Sequence, residues 1–275
     1  MKIMMGVDLE GITGVVSREH TSLDGRLYPE AVALMAGDIN AAVAGLLDAG
    51  ADEVIVWDNH HTALNAPCLS LHPGATYRRG GSPNGLRWPG LDGGVDGLIL
   101  LGYHAQAGTL GGVLEHTMSS ASWARLSVNG RPIGEIGIDG ALAGAVGVPV
   151  IMVSGCDKLC AEARGLFGPD VATACVKTGY ARHGAMCLPP EKTAALIRAA
   201  AAEAVGRVGR VKPLDLGCPA VVELTYKHTD HADAADLRPF AGRRIDGYTC
   251  RWTCPDFAAW MGFTAANPPP TGDDH

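Results

Sequence analysis

The sequence predicts an α/β protein, a mostly parallel sheet covered by helices with a smaller C-terminal α+β unit. Three observations carry this expectation. Short apolar runs at residues 2–8, 53–57 and 97–102 read as strands buried on both faces. Ala-rich segments of helical length separate several of the strands, the pattern of a parallel sheet with crossover helices. Over 275 residues, 47 % are hydrophobic and 19 % charged, enough apolar material for a core of that size. With 37 glycines and only 5 % aromatic residues, the packing falls to Ala, Val and Leu, and turns are frequent.

Residues 10–26 follow the first strand as a loop containing Gly11, Gly14 and Gly25. Pro29 opens an Ala-rich helix to about Ala49, and Gly50 closes it. Proline suits the first turn because its missing N–H has no helical partner there, and glycine suits the end because it turns left-handed without strain. Residues 53–57, Glu-Val-Ile-Val-Trp, form the second strand and residues 58–65 a polar loop. Gly and Pro make residues 80–94 largely loop, and a glycine loop at 108–112 follows the third strand, 97–102. Residues 123–128 read as a strand, and Asn129-Gly130 is a hairpin signal. Next come a small-residue helix at 134–146, a strand at 148–153, a helix at 158–167 and a strand at 171–176. The composition changes at Pro189-Pro190. A helix at 191–208, strands at 220–226 and 243–252, and helices near 232–237 and 255–263 form the C-terminal unit. The expected division is residues 1–190, residues 191–266 and a disordered tail, 267–275, with three prolines and two Asp.

The net charge of −7 and pI near 5.8 argue against a nucleic-acid partner, because a phosphate-binding groove needs clustered Lys and Arg. No apolar run reaches the roughly 20 residues of a membrane span, so no membrane partner is expected. The N-terminus meets Asp8 and Glu10 too early for a signal-peptide core. A soluble, cytoplasmic protein is the expectation, and its eight cysteines read as reduced thiols. The spacings Cys156/Cys160 and Cys250/Cys254 are loose for a structural zinc hook and fit buried thiols better.

The chemistry is concentrated where strands end. The first strand ends in Asp8-Leu9-Glu10, the second in Asp58-Asn59-His60-His61, the third in Gly102-Tyr103-His104. Ligands of open parallel sheets bind at the C-terminal strand ends. Asp8 and Glu10 are two residues apart, so extended backbone points them the same way. An Asp, a Glu and two His at one edge form a nitrogen and oxygen set suited to Zn, Mn or Co. Taken singly, a strand-end Asp is usually a turn or cap residue and a loop His usually a solvated one. The weight lies in three strand ends repeating the pattern. The glycine loop leads to Glu115-His116 and lacks the Gly-Lys-Ser/Thr ending of a nucleotide loop. Glu135, at a predicted helix start, either complements the helix dipole or adds a further metal carboxylate.

Five blocks in order resemble a known family: Val7-Asp8-Leu9-Glu10-Gly11-Ile12-Thr13-Gly14, Asp58-Asn59-His60, Leu101-Gly102-Tyr103-His104-Ala105, His116-Thr117-Met118 and Arg131-Pro132-Ile133-Gly134-Glu135. They are similar to the zinc-dependent D-aminopeptidases of the DppA type, and a weaker similarity continues through residues 211–214 and 222–223. The resemblance implies two divalent ions per chain, Zn2+ with Mn2+ or Co2+ as alternatives, held by Asp8, Glu10, His60, His104 and Glu135. It implies that His116 is the catalytic histidine. His61 has no counterpart among the family ligands and competes with His60 for the assignment. The implied reaction is release of N-terminal residues from short peptides, chiefly D-amino-acid peptides. An L-aminopeptidase, another dinuclear hydrolase or a non-catalytic metal-binding scaffold are the rivals. The implied assembly is a ring-like homo-oligomer, decameric, with residues 191–266 as its contact unit and 1–190 as the catalytic domain. Glu115, as a sequence neighbour of His116, is a possible helper.

Overall fold

The computed structural model describes residues 1–82 and 87–266. Its strands in chain order are β1 (Lys2–Val7), β2 (Glu53–Asp58), β3 (Thr76–Arg78), β4 (Gly97–Leu101), β5 (Trp123–Val128), β6 (Arg131–Pro132), β7 (Val150–Cys156), β8 (Ala172–Ala181), β9 (Gly184–Cys187), β10 (Ala220–Tyr226), β11 (Arg243–Arg244) and β12 (Thr249–Cys254). The helices are α1 (Arg18–Thr21), α2 (Tyr28–Asp48), α3 (Glu135–Ala145), α4 (Asp157–Phe167), α5 (Pro190–Val205), α6 (Thr229–Asp233) and α7 (Phe257–Ala266). One sheet of seven strands has the order β3-β2-β1-β4-β7-β8-β9, parallel except for the β8–β9 hairpin. The second, of five strands, is antiparallel in the order β11-β12-β10-β5-β6. The α/β expectation therefore holds, with the antiparallel sheet as its smaller α+β part.

Several elements differ from the sequence reading. The strand at 123–128 joins the antiparallel sheet, because no helix separates it from β4 and the Asn129-Gly130 turn folds it back on β6. The sheets are not divided at residue 190. The antiparallel one takes β5 and β6 from before it and β10 to β12 from after it, while α5 packs on α2 and on β8. The expected strand 243–252 is two strands joined by a turn in which Asp246 accepts the N–H groups of Tyr248 and Thr249. The expected helix at 232–237 lies earlier, at α6. The expected tail, 267–275, lies outside the described residues, as does part of the 80–94 loop. By length and composition α2 matches a membrane span, contrary to expectation, yet half of it is buried and it packs on α5. Its interior carries the buried carboxylate of Asp38, which has a partner in the core.

The topology sets the site. β1 lies between β2 and β4, with Val7 level with both Asp58 and Leu101. The chain leaves β1 towards β2 on one side, and β4 lies on the other, so the sheet order reverses here. Such a switch point opens a crevice at the strand ends. The backbone closes tightly beneath it. Gly11 N–H donates to Gly102 O at 2.7 Å, and a Cβ on Gly11 would lie 1.9 Å from Tyr103 O.

Residues 10–15 are fixed from below by two buried charges. The Lys177 ammonium donates to the carbonyls of Glu10 and Ile12, at 2.8 Å each, and of Val15. Burial pulls its pKa down to about 8. Asp38 accepts Thr13 N–H at 2.9 Å and Thr13 Oγ1–H at 2.8 Å, and burial pushes its carboxyl up to about 6. Replacing Lys177 with Met fills the space but removes the donor shared by three buried carbonyls. Unmet buried acceptors cost about 1–3 kcal/mol each. Ile12 O keeps the Val15 N–H at 3.1 Å, so two acceptors are left unmet and urea unfolding of Lys177→Met is expected to read a loss of at least about 2 kcal/mol. A loss below about 1 kcal/mol would mean the clamp is dispensable.

Candidate metal centre

Asp8 leaves β1 and Glu10 follows it, both buried. His60 leaves β2 on a loop organised by Asp58, whose carboxylate accepts the N–H groups of Asn65, Ala66 (2.9 Å) and His60 (3.2 Å). His104 leaves β4 and is fully enclosed. Glu135 is the first residue of α3, delivered by the β5–β6 hairpin of the other sheet. His116 stands at the end of the glycine loop. The structure brings all six together.

Asp8 occupies the middle. Its Oδ1 is 3.0 Å from His60 Nδ1, and its Oδ2 is 3.4 Å from His104 Nε2. Glu10 Oε2 lies 3.2 Å from His60 Nδ1. Glu135 Oε1 lies 3.3 Å from His104 Nε2 and 3.6 Å from His116 Nε2. The His104 and His116 rings stack, with centroids 3.9 Å apart and planes at 9°. Ligand atoms of Asp8, Glu10 and His104 fall within 4.8 Å of one another, and so do those of His104, His116 and Glu135.

The three histidines share one arrangement. In each, the outer nitrogen donates to a backbone carbonyl: His60 Nε2 to Thr21 O at 3.0 Å, His104 Nδ1 to Ala105 O at 3.1 Å, and His116 Nδ1 to Leu114 O at 2.9 Å. The inner nitrogen then faces carboxylate oxygens. It carries either a proton or a lone pair for a metal, the pattern in which a second partner fixes the tautomer of a ligating imidazole. Two inner atoms, Glu10 Oε2 and His104 Nε2, are buried without a hydrogen bond. Buried polar atoms are seldom left unpaired, so the donor set fits divalent zinc-type cations.

The electrostatics agree. Burial alone would raise the Asp8 carboxyl, but the neighbouring imidazoles of His104 and His60 hold it well below its usual range. Burial is likewise outweighed at Glu135, where the charge of His104 brings the pKa down to about 2. Desolvation alone would lower His60 and His104. The charge of Glu10 on the first and of Glu135 on the second overrides it and holds both imidazoles well above their usual range.

Two sequence candidates lie elsewhere. His61, with φ of 48°, is exposed, its ring centroid 6.4 Å from that of His60, and the buried cluster takes His60 instead. Glu115 turns away to pair with Arg182 and to accept Gly108 N–H. With Leu114 N–H donating to Arg182 O at 2.8 Å, this ties the glycine loop to the β8–β9 turn. The glycines serve close approach: a Cβ on Gly179 would lie 2.2 Å from Gly111 O. Cys156, Cys160, Cys250 and Cys254 are buried free thiols.

The sequence reading missed a second layer. Arg87 pairs with Asp139, and its Nη2 also lies 3.5 Å from Glu135 Oε2. Met118 N–H donates to Glu135 Oε1 at 2.8 Å. Glu162 accepts Gln106 N–H at 2.8 Å, next to the His104 loop, and burial pushes its carboxyl up to about 7. Asp139 was detectable, since it sits four residues after Glu135 and hence on the same helix face. Arg87, Glu162 and Lys177 carried no such signal.

Comparison with known proteins accords with this geometry. Residues 1–266 match the family described as D-aminopeptidase. A D-aminopeptidase of Bacillus subtilis (strain 168) is 34 % identical over 239 residues, spanning 87 % of this chain and 86 % of the relative. A solved structure, described as the Zn-dependent D-aminopeptidase DppA from Bacillus subtilis, a self-compartmentalizing protease, superposes with a TM-score of 0.88. It is 32 % identical and covers 97 % of this chain and 98 % of that one. The chain belongs to the D-aminopeptidase family and is an aminopeptidase, a metal-dependent hydrolase of peptide bonds.

Because His60 and His104 are held protonated by their carboxylates, a cation entering the cluster displaces a proton from each. Zinc affinity should therefore fall as pH falls, by up to about a hundredfold per pH unit for two protons released. Chelator competition across pH 6–8, with proton release followed by a pH indicator, reads this. A pH-independent affinity would exclude the two imidazoles as ligands.

Proposed function

We propose that the protein releases N-terminal residues from short peptides, with a preference for D-amino acids, using two divalent cations held by Asp8, Glu10, His60, His104 and Glu135. The observation that carries this is the alignment of inner imidazole nitrogens with carboxylates from separate strand ends and from α3. Asp8, with one oxygen towards each of His60 and His104, would be shared by the two ions in this reading. Zinc is the favoured ion because the structural relative is described as Zn-dependent, with manganese or cobalt as alternatives. Cations bound there supply Lewis-acid polarisation and a water of lowered pKa.

His116 moves the proton at Nε2. Its Nδ1 is committed to Leu114 O, so Nε2 faces the cluster, and stacking on His104 holds the ring there. The imidazole so placed serves as general acid and base or stabilises developing charge on the scissile carbonyl oxygen. The D preference comes from the relatives' description, and D-Ala-D-Ala and its amides are the first substrates to test. The self-compartmentalizing relative supports self-assembly; the form proposed here is a ring-like, decameric homo-oligomer that admits only short flexible peptides. A cytoplasmic location belongs to the same proposal and accords with eight free thiols.

A second reading makes His116 a ligand, since its Nε2 shares a 4.8 Å cluster with His104 and Glu135. His116→Ala separates the two. As proton carrier it should retain its metal content and melting temperature while losing at least about a hundredfold in kcat, the scale of general acid–base catalysis. Loss of an ion together with activity would make it a ligand.

Substrate choice is read by paired D- and L-Ala p-nitroanilides and dipeptides on zinc- or manganese-loaded protein, with light scattering on the same preparation. Faster cleavage of the D series by a stable oligomer is expected. Faster L cleavage would overturn the stereochemical assignment alone. No cleavage of any N-unblocked peptide, with two metals bound, would overturn the proposed reaction, and a monomer at micromolar concentration would overturn the ring.

A further inference from the structure

Behind the ligands lies a buried polar hub centred on Asp139. Asp139 is fully enclosed, one turn of α3 beyond Glu135. Its Oδ1 accepts Trp88 Nε1–H at 2.8 Å and the Arg87 Nε–H. Its Oδ2 accepts Tyr103 O–H at 2.8 Å and Arg87 Nη2–H at 3.0 Å. The Tyr103 oxygen in turn accepts Asn59 Nδ2–H at 2.8 Å.

Each partner stands beside a residue of the metal cluster. Tyr103 precedes His104 and Asn59 precedes His60 in the chain. Arg87 reaches Glu135 Oε2. The Trp88 ring lies against Gly6, two residues before Asp8, so closely that a Cβ there would sit 2.2 Å from the indole. Asp139 on α3 thus holds Tyr103 at the end of β4 and the loop residues Arg87 and Trp88 directly, the end of β2 through the Tyr103 hydroxyl, and β1 through the Trp88 ring. The single charge of Arg87 is shared between Asp139 and Glu135, so most of the carboxylate charge of Asp8, Glu10 and Glu135 is left to be balanced by whatever occupies the cluster.

We propose that Asp139, acting through Tyr103 and Arg87, is a positioning residue that sets the spacing of the metal ligands. Its carboxylate is taken up by Arg87, Trp88 and Tyr103, outside the ligand set. Its carboxylate accepts four donors at once, so the ends of β1, β2 and β4 and the start of α3 are held at one separation before a cation arrives. This rests on the ligand set proposed above. Groups of this kind change metal affinity or activity by 10–100-fold when removed.

The test uses the full-length protein and cobalt(II) or zinc as probe. Tyr103→Phe keeps the ring and removes the link between Asn59 and Asp139. Asp139→Asn keeps the shape and removes the charge. Thr193→Val, on α5, removes the bond from Thr193 Oγ1 to Pro190 O away from the cluster and serves as the comparison for a purely structural loss. In Tyr103→Phe we expect a folded protein, zinc affinity weakened about 10–100-fold, an altered cobalt(II) visible spectrum and a fall in kcat larger than the change in KM. Asp139→Asn, where it folds, should exceed Tyr103→Phe in each respect. Thr193→Val should lose stability and keep the parent affinity and spectrum. Parent-like affinity and spectrum in folded Tyr103→Phe would overturn the proposal, as would equal changes in Thr193→Val. A parent protein that takes up neither metal would overturn the ligand set itself, and the hub's role with it.

Discussion

Two carboxylates that burial alone would neutralise, Asp8 and Glu135, and that neighbouring imidazoles hold ionised set the terms for the rest of the fold. Asp8, Glu10 and Glu135 are enclosed within hydrogen-bond range of imidazole nitrogens. Like charges removed from water repel strongly and cost free energy unless paired. Protons on His60 and His104 supply part of the balance, and a divalent cation there would supply it with greater charge density. Buried charge by itself thus makes the cluster a candidate cation site before any mechanism is considered.

The two sheets divide the work of building it. The parallel sheet aligns the ends of β1, β2 and β4 in one register and contributes Asp8, Glu10, His60 and His104. The antiparallel sheet contributes the β5–β6 hairpin, which feeds Gly134 and then Glu135 into the first turn of α3. A carboxylate at a helix start also meets the positive end of the helix dipole, so both readings of Glu135 raised by the sequence apply to the same residue.

Backbone carbonyls do much of the orienting. Thr21, Ala105 and Leu114 each accept one imidazole N–H. The short helix α1 ends at Thr21 and so places the carbonyl that fixes the His60 tautomer. Lys177 and Asp38 play the equivalent part for residues 10–15, holding the loop beneath Glu10 through charge-assisted hydrogen bonds. These contacts pair the Thr13 N–H and the carbonyls of Glu10, Ile12 and Val15 in an irregular segment that lies in the interior.

How much of this was legible in the sequence follows from which interactions are local. The strands at 2–8, 53–57 and 97–102, the helix after Pro29 and the strand-end residues Asp8, Glu10, His60 and His104 follow from apolar periodicity and chain punctuation, both properties of neighbouring residues. Parallel strands share a direction, so residues just past their ends converge whatever the details of packing. Where a choice depended on residues far apart in the chain, only the folded structure made it. It put residues 123–128 in the antiparallel sheet, because the partner strand lies nearly a hundred residues away. It chose His60 over His61, because the backbone at His61 turns left-handed and carries the ring outward. It turned Glu115 to Arg182 and drew Arg87, Asp139 and Lys177 inward. A buried charge is placed by the partner that compensates it, and those partners are set by the tertiary fold, not by the neighbouring sequence.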